Sequence, residues 1–251
     1  MKSKFLLAVL FAITALTSTT TSAASEPTII LVHGAFADGS CWNKLIPILQ
    51  KKKMRVIAVQ NSLRSIADDA ASLNRVIDNQ PGPVILVGHS FGGAIITEAG
   101  TNPKVKALVY IAAFAPDTGE SPGELAARFP TPPGNSSFIP DSQGFLYLSV
   151  DGMRENFAQD LPKSMTRLMA VTQGPVSSAV IPEKITEAAW RAKPSWYIVA
   201  TEDRMISPLQ QAHSARTMKA DTIYLKSSHV PMISQPREIA SVVNSAYQEV
   251  Q

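Results

Sequence analysis

Four short runs of the chain are apolar on nearly every consecutive residue: Thr28-Ile-Ile-Leu-Val32, Arg55 to Val59, Pro83-Val-Ile-Leu-Val87 and Val105 to Ala113. A strand with one wet face alternates apolar and polar residues, whereas an unbroken apolar run asks for cover on both faces. Between these runs the spacing becomes helical. Trp42 to Leu49 has apolar residues at 42, 45, 46 and 49, with Pro47 tolerable only in a first turn. Ser65 to Ile77 is apolar or small at 66, 70, 73, 76 and 77, with Asp68 and Asp69 near its N-terminus. Ser90 to Ala99 is a helix of mostly small residues. The order from residue 28 is strand, helix, strand, helix, strand, helix, strand. Only a parallel sheet covered by helices meets that demand. The expected fold class is α/β, with a mostly parallel central sheet and helices on both faces.

The rhythm breaks after Phe114. Pro116, Pro122, Pro130, Pro132, Pro133 and Pro140 punctuate the next stretch, and broken amphipathic pieces such as Met153 to Phe157 and Met165 to Val171 follow. The segment is too long for an ordinary crossover and reads as an insertion over the sheet edge. The sheet resumes at Ser195-Trp-Tyr-Ile-Val-Ala200. A helix is expected over Pro208 to Met218, a strand over Thr222 to Leu225, and a last amphipathic helix from Pro236 to Tyr247. The plan is a leader over 1–24, core over 25–115, an inserted cap over 116–185, and core again over 186–251.

The leader is read from Lys2 and Lys4, the apolar run of 12 residues from Phe5 to Leu16, and the small residues Ser22-Ala23-Ala24. This is the layout of a secretory signal peptide, cut after Ala24 or Ala23, and its apolar run is too short to span a bilayer. The mature protein is expected in the periplasm or outside the cell. Losing Lys2 and Lys4 takes the formal charge from +3 to +1. With so little excess charge and no basic stripe beyond Lys51-Lys52-Lys53, nucleic acid is not an expected partner. The one cysteine, Cys41, has no partner for a disulfide and cannot build a cysteine metal cluster.

Gly88-His89-Ser90-Phe91-Gly92 follows a buried run and opens a helix. Gly-x-Ser-x-Gly in that context is a nucleophile elbow: a tight strand-to-helix turn that lifts the serine hydroxyl above the sheet end. The N–H of Phe91, at a helix N-terminus, faces a developing oxyanion. The loop His33-Gly34-Ala35-Phe36 ends the first run and can bring a second N–H, from Ala35 or Phe36. A serine needs a base. His33 is expected to be structural, His89 is locked beside Ser90 in sequence, and His213 lies in a surface helix. His229, in Ser227-Ser228-His229-Val230-Pro231, follows the last strand and is the expected base. Asp203, after the strand ending at Thr201, is the expected carboxylate, with Glu202 and Asp117 as alternatives. The chain order Ser90, Asp203, His229 is the order this architecture uses.

These residues resemble the α/β-hydrolase superfamily over essentially all of 27–250. Ile30-Leu31-Val32-His33-Gly34, Trp42, Gly88-His-Ser-Phe-Gly-Gly93, Asp203 and His229 look more narrowly like its small cofactor-free branch. That branch holds plant methyl esterases, hydroxynitrile lyases and bacterial esterase-like proteins. The resemblance implies Ser90 as nucleophile, Asp203 as orienting acid, His229 as base and residues 116–185 as a cap over the pocket. Two departures from the lyases of that branch argue against lyase activity. The lyases place a threonine where Gly34 stands and a lysine where Val230 stands.

The expected reaction is hydrolysis of a small to medium carboxylic ester through an acyl-enzyme, with no metal or organic cofactor. The same fold also serves lactone, amide or carbon–carbon bond hydrolysis and cofactor-free oxygen chemistry, and a hydrolase shell can persist as a binding protein. The partner is a small molecule with an apolar part. Its expected pocket residues are Phe129, Phe138, Phe145, Phe157, Leu168, Met169 and Trp190.

Overall fold

A computed structural model describes residues 25–251, so the expected leader lies outside the described residues. The core is a six-stranded sheet of β1 (Thr28–Val32), β2 (Arg55–Val59), β3 (Val84–His89), β4 (Val105–Ile111), β8 (Ser195–Ala200) and β9 (Asp221–Leu225). Its order is β2-β1-β3-β4-β8-β9, and every pairing is parallel. The α/β class expected from the apolar runs is the observed one. The runs differ in one respect. β1 and β3 are buried along their whole length, and β4 at all but Lys106, whereas edge strands β2 and β9 are only half-buried. Arg55 at the start of β2 marks that edge.

From β1 the chain steps one way to β2 and then crosses back to β3. Right-handed crossovers in opposite directions put α1 (Ile46–Lys51) and α2 (Ile66–Asp78) on opposite faces. α2 packs against α3 (Gly92–Ala99), and α1 against the C-terminal α9 (Pro236–Val250). The sheet order therefore reverses between β1 and β3, and the ends of these strands frame the crevice where α/β sheets bind ligands.

Local chemistry sets the boundaries. Pro47 falls in the first turn of α1, and Gly39–Trp42 is a separate 3₁₀ turn, so the expected helix is shorter and starts later. Ser65 caps α2 by accepting the N–H of Asp68 at 3.0 Å. Asp69 is buried and accepts the N–H groups of Ser62 and Leu63, at 2.7 and 2.9 Å, so it clamps the preceding loop.

The segment between β4 and β8 carries a second sheet that its composition did not foretell. Antiparallel β5 (Phe138–Pro140), β6 (Phe145–Leu148) and β7 (Val176–Ser177) are each only two to four residues long. Around them lie α4 (Pro122–Ala126), α5 (Val150–Gly152) running into a π-turn at Met153–Phe157, and α6 (Lys163–Thr172). Ser121 and Glu124 form a reciprocal capping box on α4. The segment is bonded back to the core: both carboxylate oxygens of Glu183 accept the first N–H groups of α2, from Ile66 and Ala67. Two further helices complete the fold, α7 (Pro208–Thr217) and the short α8 (Pro231–Ser234). Among the described residues no helix is long and apolar enough to cross a membrane.

Candidate active site

β3 delivers Ser90 to the crevice. Its φ is +55°, the left-handed region, in which a side-chain-bearing residue persists only when its surroundings hold it there. They do so through Ser90 N–H to Ile111 O at 3.1 Å and Phe114 N–H to Ser90 O at 3.0 Å. The flanking glycines are spatial necessities. A Cβ on Gly88 would lie 2.7 Å from Gly92 O, and one on Gly92 would lie 2.4 Å from Val32 O. Gly34 is as tight, since a Cβ there would lie 2.6 Å from the Ser90 Cβ. A threonine at that position would displace the elbow itself.

His229 hangs from the loop between β9 and α8 and is 1% exposed. Its Nε2 accepts from Ser90 Oγ at 2.8 Å, and its Nδ1–H donates to Asp203 Oδ2 at 2.7 Å. Asp203 is buried. Its other oxygen accepts the N–H groups of Met205 and Ile206, at 2.7 and 3.1 Å. Gln211 Nε2 adds a fourth bond, to Oδ2 at 2.7 Å. That glutamine is fully buried on α7, and its Oε1 accepts Ala200 N–H at the end of β8 at 2.9 Å. The carboxylate thus has donors on both oxygens and little freedom to turn. Glu202 is half exposed near Lys226, and Asp117 pairs with Arg191, whose guanidinium holds that carboxyl below its ordinary range. Only Asp203 reaches His229.

The remaining histidines take other places. His33 accepts Asn61 N–H on Nε2 and sits 2.9 Å from Gly34 O through Nδ1, so it is neutral and ties the loop. Burial pushes its pKa down. His89 donates Nε2–H to the backbone carbonyl of His229 at 2.8 Å. Burial first, and the neighbouring His229 second, hold its pKa well below the usual histidine range. His213 lies on α7 with its ring 5.3 Å from that of Phe129.

Ala35 and Phe36 border the same cavity as Ser90, Phe91 and His229. Among the described residues the backbone N–H groups of Ala35, Phe36 and Phe91 have no hydrogen-bond acceptor. Three free donors beside one serine can stabilise negative charge that develops there. Phe36 itself has φ +59°.

The cavity holds about 170 Å³ and is mainly apolar. Of the residues expected to line it, Phe138 and Phe157 do. Phe129, Phe145, Leu168, Met169 and Trp190 do not. Phe129 packs on His213. Trp190 donates its indole N–H to Pro116 O at 3.0 Å. Phe145 begins β6, and strand alternation turns the next residue, Leu146, toward the cavity instead. Leu168 and Met169 face a separate hollow. The lining unforeseen in the sequence includes Val176, Val180, Ile181, Met205 and Ile206. The last two stand two and three residues after Asp203, and that closeness was the only signal available for them.

The segment over the cavity is also bonded to the loops below it. Asp160 accepts Ser228 N–H at 3.0 Å, one residue before His229. Gln159 donates to Glu202 O at 2.7 Å, one residue before Asp203, and Arg204 donates to Glu155 O at 3.1 Å. Among the described residues no cluster of three histidine, cysteine or acidic side chains is placed to hold a metal.

A family profile described as "Alpha/beta hydrolase family" matches residues 29–242. Methylesterase 2 of Arabidopsis thaliana is 28% identical over 239 residues, covering 83% of this chain and 91% of that protein. Among solved structures, a pyrethroid hydrolase from Sphingobium faniae JZ-2 aligns with a TM-score of 0.75 at 22% identity, covering 89% of this chain and 98% of that one. Polyneuridine aldehyde esterase aligns with a TM-score of 0.73 at 22% identity, covering 88% and 99%. At such identities the structural likeness speaks for the fold.

Proposed function

The chain belongs to the alpha/beta hydrolase family, and from that premise we propose that it is a serine carboxylic-ester hydrolase. The observation that carries the proposal is the unbroken chain Ser90 Oγ, His229, Asp203, opening into an apolar cavity beside three free backbone N–H groups. The relatives named methylesterase and esterase support the same reading.

Ser90 Oγ attacks the acyl carbon while His229 Nε2 takes its proton. Negative charge builds on the former carbonyl oxygen, where the N–H of Phe91 and that of Ala35 or Phe36 receive it. One such donor is worth about 10²- to 10³-fold in rate. Asp203 holds the imidazole in the Nδ1–H tautomer and stabilises its cation. His229 then gives its proton to the departing alkoxide, leaving Ser90 acylated. A water, losing its proton to His229, attacks the acyl carbon and releases the acid and free Ser90. None of these steps calls on a cofactor.

The purified Ser90→Ala protein should lose about 10⁴-fold or more in kcat on short p-nitrophenyl esters with an unchanged circular dichroism spectrum. Hydrolysis at the parent rate would remove Ser90 from the mechanism. We also propose export, supported by the layout of residues 1–24. N-terminal sequencing of a periplasmic extract should begin within two residues of Ser25. An intact Met1 on membrane-held protein would refute cleavage.

A further inference from the structure

Phe36 has a cavity on each side of it. One is the hollow over Ser90. The other, about 190 Å³, lies against α6, with Met165, Leu168 and Met169 in its lining alongside Cys41 and Ile233. Among the described residues Phe36 is the only one that borders both. Its side chain is nearly buried, and its ring stacks on Phe138 of β5 with centroids 5.4 Å apart. The two spaces therefore share Phe36, whose ring is held by another aromatic ring from the inserted segment.

The second cavity contains none of the residues of the hydrogen-bonded chain at Ser90. Its lining surface is mainly apolar, with Ser40, Asn43, Thr172 and Gln173 as its uncharged polar members, and its two charged members, Asp38 and Lys44, are of opposite sign. A charged group taken inside would lose its hydration with no dedicated counter-charge. Two methionines give its wall an adaptable shape. Size argues in the same direction. Each cavity alone is smaller than the roughly 300–1,000 Å³ usual for ligand pockets, while the two joined enter that range.

We propose that this second cavity is a subsite for one arm of the ester, and that Phe36 sets how far that arm extends. The proposal rests on the ester-hydrolase reading above. It names the substrate class as a neutral ester with one compact arm over Ser90. Its other arm is an apolar chain or ring long enough to pass Phe36. That arm is acyl or alcohol according to how the ester lies across the elbow, and two substrate series distinguish these cases.

The test compares p-nitrophenyl octanoate with the acetate, and octyl acetate with ethyl acetate. In one of the two series, Phe36→Ala should raise the long-to-short ratio of kcat/KM at least tenfold, and Phe36→Leu by less. Adding Met169→Trp, which fills only the second cavity, should cancel most of the gain. Ratios unchanged in both series would overturn the subsite. So would a gain that survives Met169→Trp, because the longer arm would then lie in the enlarged catalytic hollow. A measurement independent of turnover is calorimetric binding of 1-octanol to the Ser90→Ala protein. Met169→Trp should weaken it at least fivefold, and equal binding would also overturn the proposal. Turnover of short esters with unmoved ratios would sink the subsite and leave the hydrolase reading intact. Octanol binding sensitive to Met169, with no ester turned over, would do the reverse.

Discussion

The sheet and the segment that roofs it are built by different rules. β1, β3, β4 and β8 are buried on both faces at almost every position, so each side chain has a fixed neighbour and the backbone ends are fixed in space. The roof is made of strands of two to four residues and helices as short as three, many of them half exposed. Ser90, Asp203 and His229 stand on connections leaving the sheet, after β3, β8 and the half-buried edge strand β9. Most of the unforeseen lining comes from the roof or from the loop that meets it. On the proposed mechanism the contrast is a division of labour: the rigid sheet holds the groups proposed to react, and the irregular roof shapes what reaches them.

That division makes predictions that can break it. The largest effect belongs to the sheet side. Asp203→Asn should lower kcat by about 10⁴-fold while the fold persists, because the imidazole then settles in the wrong tautomer. Glu202→Gln, with its half-exposed side chain, should change kcat less than about threefold by the same measure. Reversal of these two effects would move the acid by one residue. Next come paired changes on the two sides. Gln211→Leu frees the Asp203 carboxylate to turn and should cost up to about 10²-fold, equally for every ester tested. Ile181→Ala, at the partly exposed rim of the cavity, should instead re-rank esters by roughly tenfold and leave some unaffected. If kcat/KM across an ester panel showed Gln211→Leu re-ranking and Ile181→Ala slowing all alike, the division would be wrong.

How much of this was legible in the sequence follows the same line. The wholly apolar runs and Gly88-x-Ser90-x-Gly92 announced the sheet, its parallel order and the elbow, because burial on two faces and a tight turn each leave a mark on neighbouring residues. The roof left no such mark. A strand of two residues such as Val176–Ser177 has no period to detect. Aromatic content misled: Phe129 and Trp190 find partners in His213 and Pro116, away from the cavity. Gln211 was invisible for another reason. A buried glutamine that bonds a carboxylate eight residues earlier looks, in one dimension, like any polar residue on a helix.

The smallest predicted effect concerns stability. His33 and His89 are buried with pKa values below the ordinary 6.5, so the unfolded chain binds more protons than the folded one as pH falls past that value. Their contribution is fully present above about pH 6.5 and is lost as pH drops toward their folded values. Thermal melts should show a flat Tm from pH 8 to 7 and a fall as the pH drops below about 6.5 toward 5. A Tm constant to pH 5 would show that neither ring is kept neutral by the fold.

The bonds from Gln159 and Asp160 to the backbone beside Asp203 and His229 have a consequence for timing. A roof that swings clear to admit a bulky guest must let go of the residues next to both the acid and the base. Opening and misalignment then become a single event. The open molecule would be idle, and its serine would regain full nucleophilic power only as the roof came down. Entry by rotation of single side chains at the rim escapes this penalty, so guests small enough to slip past them would meet an enzyme already armed.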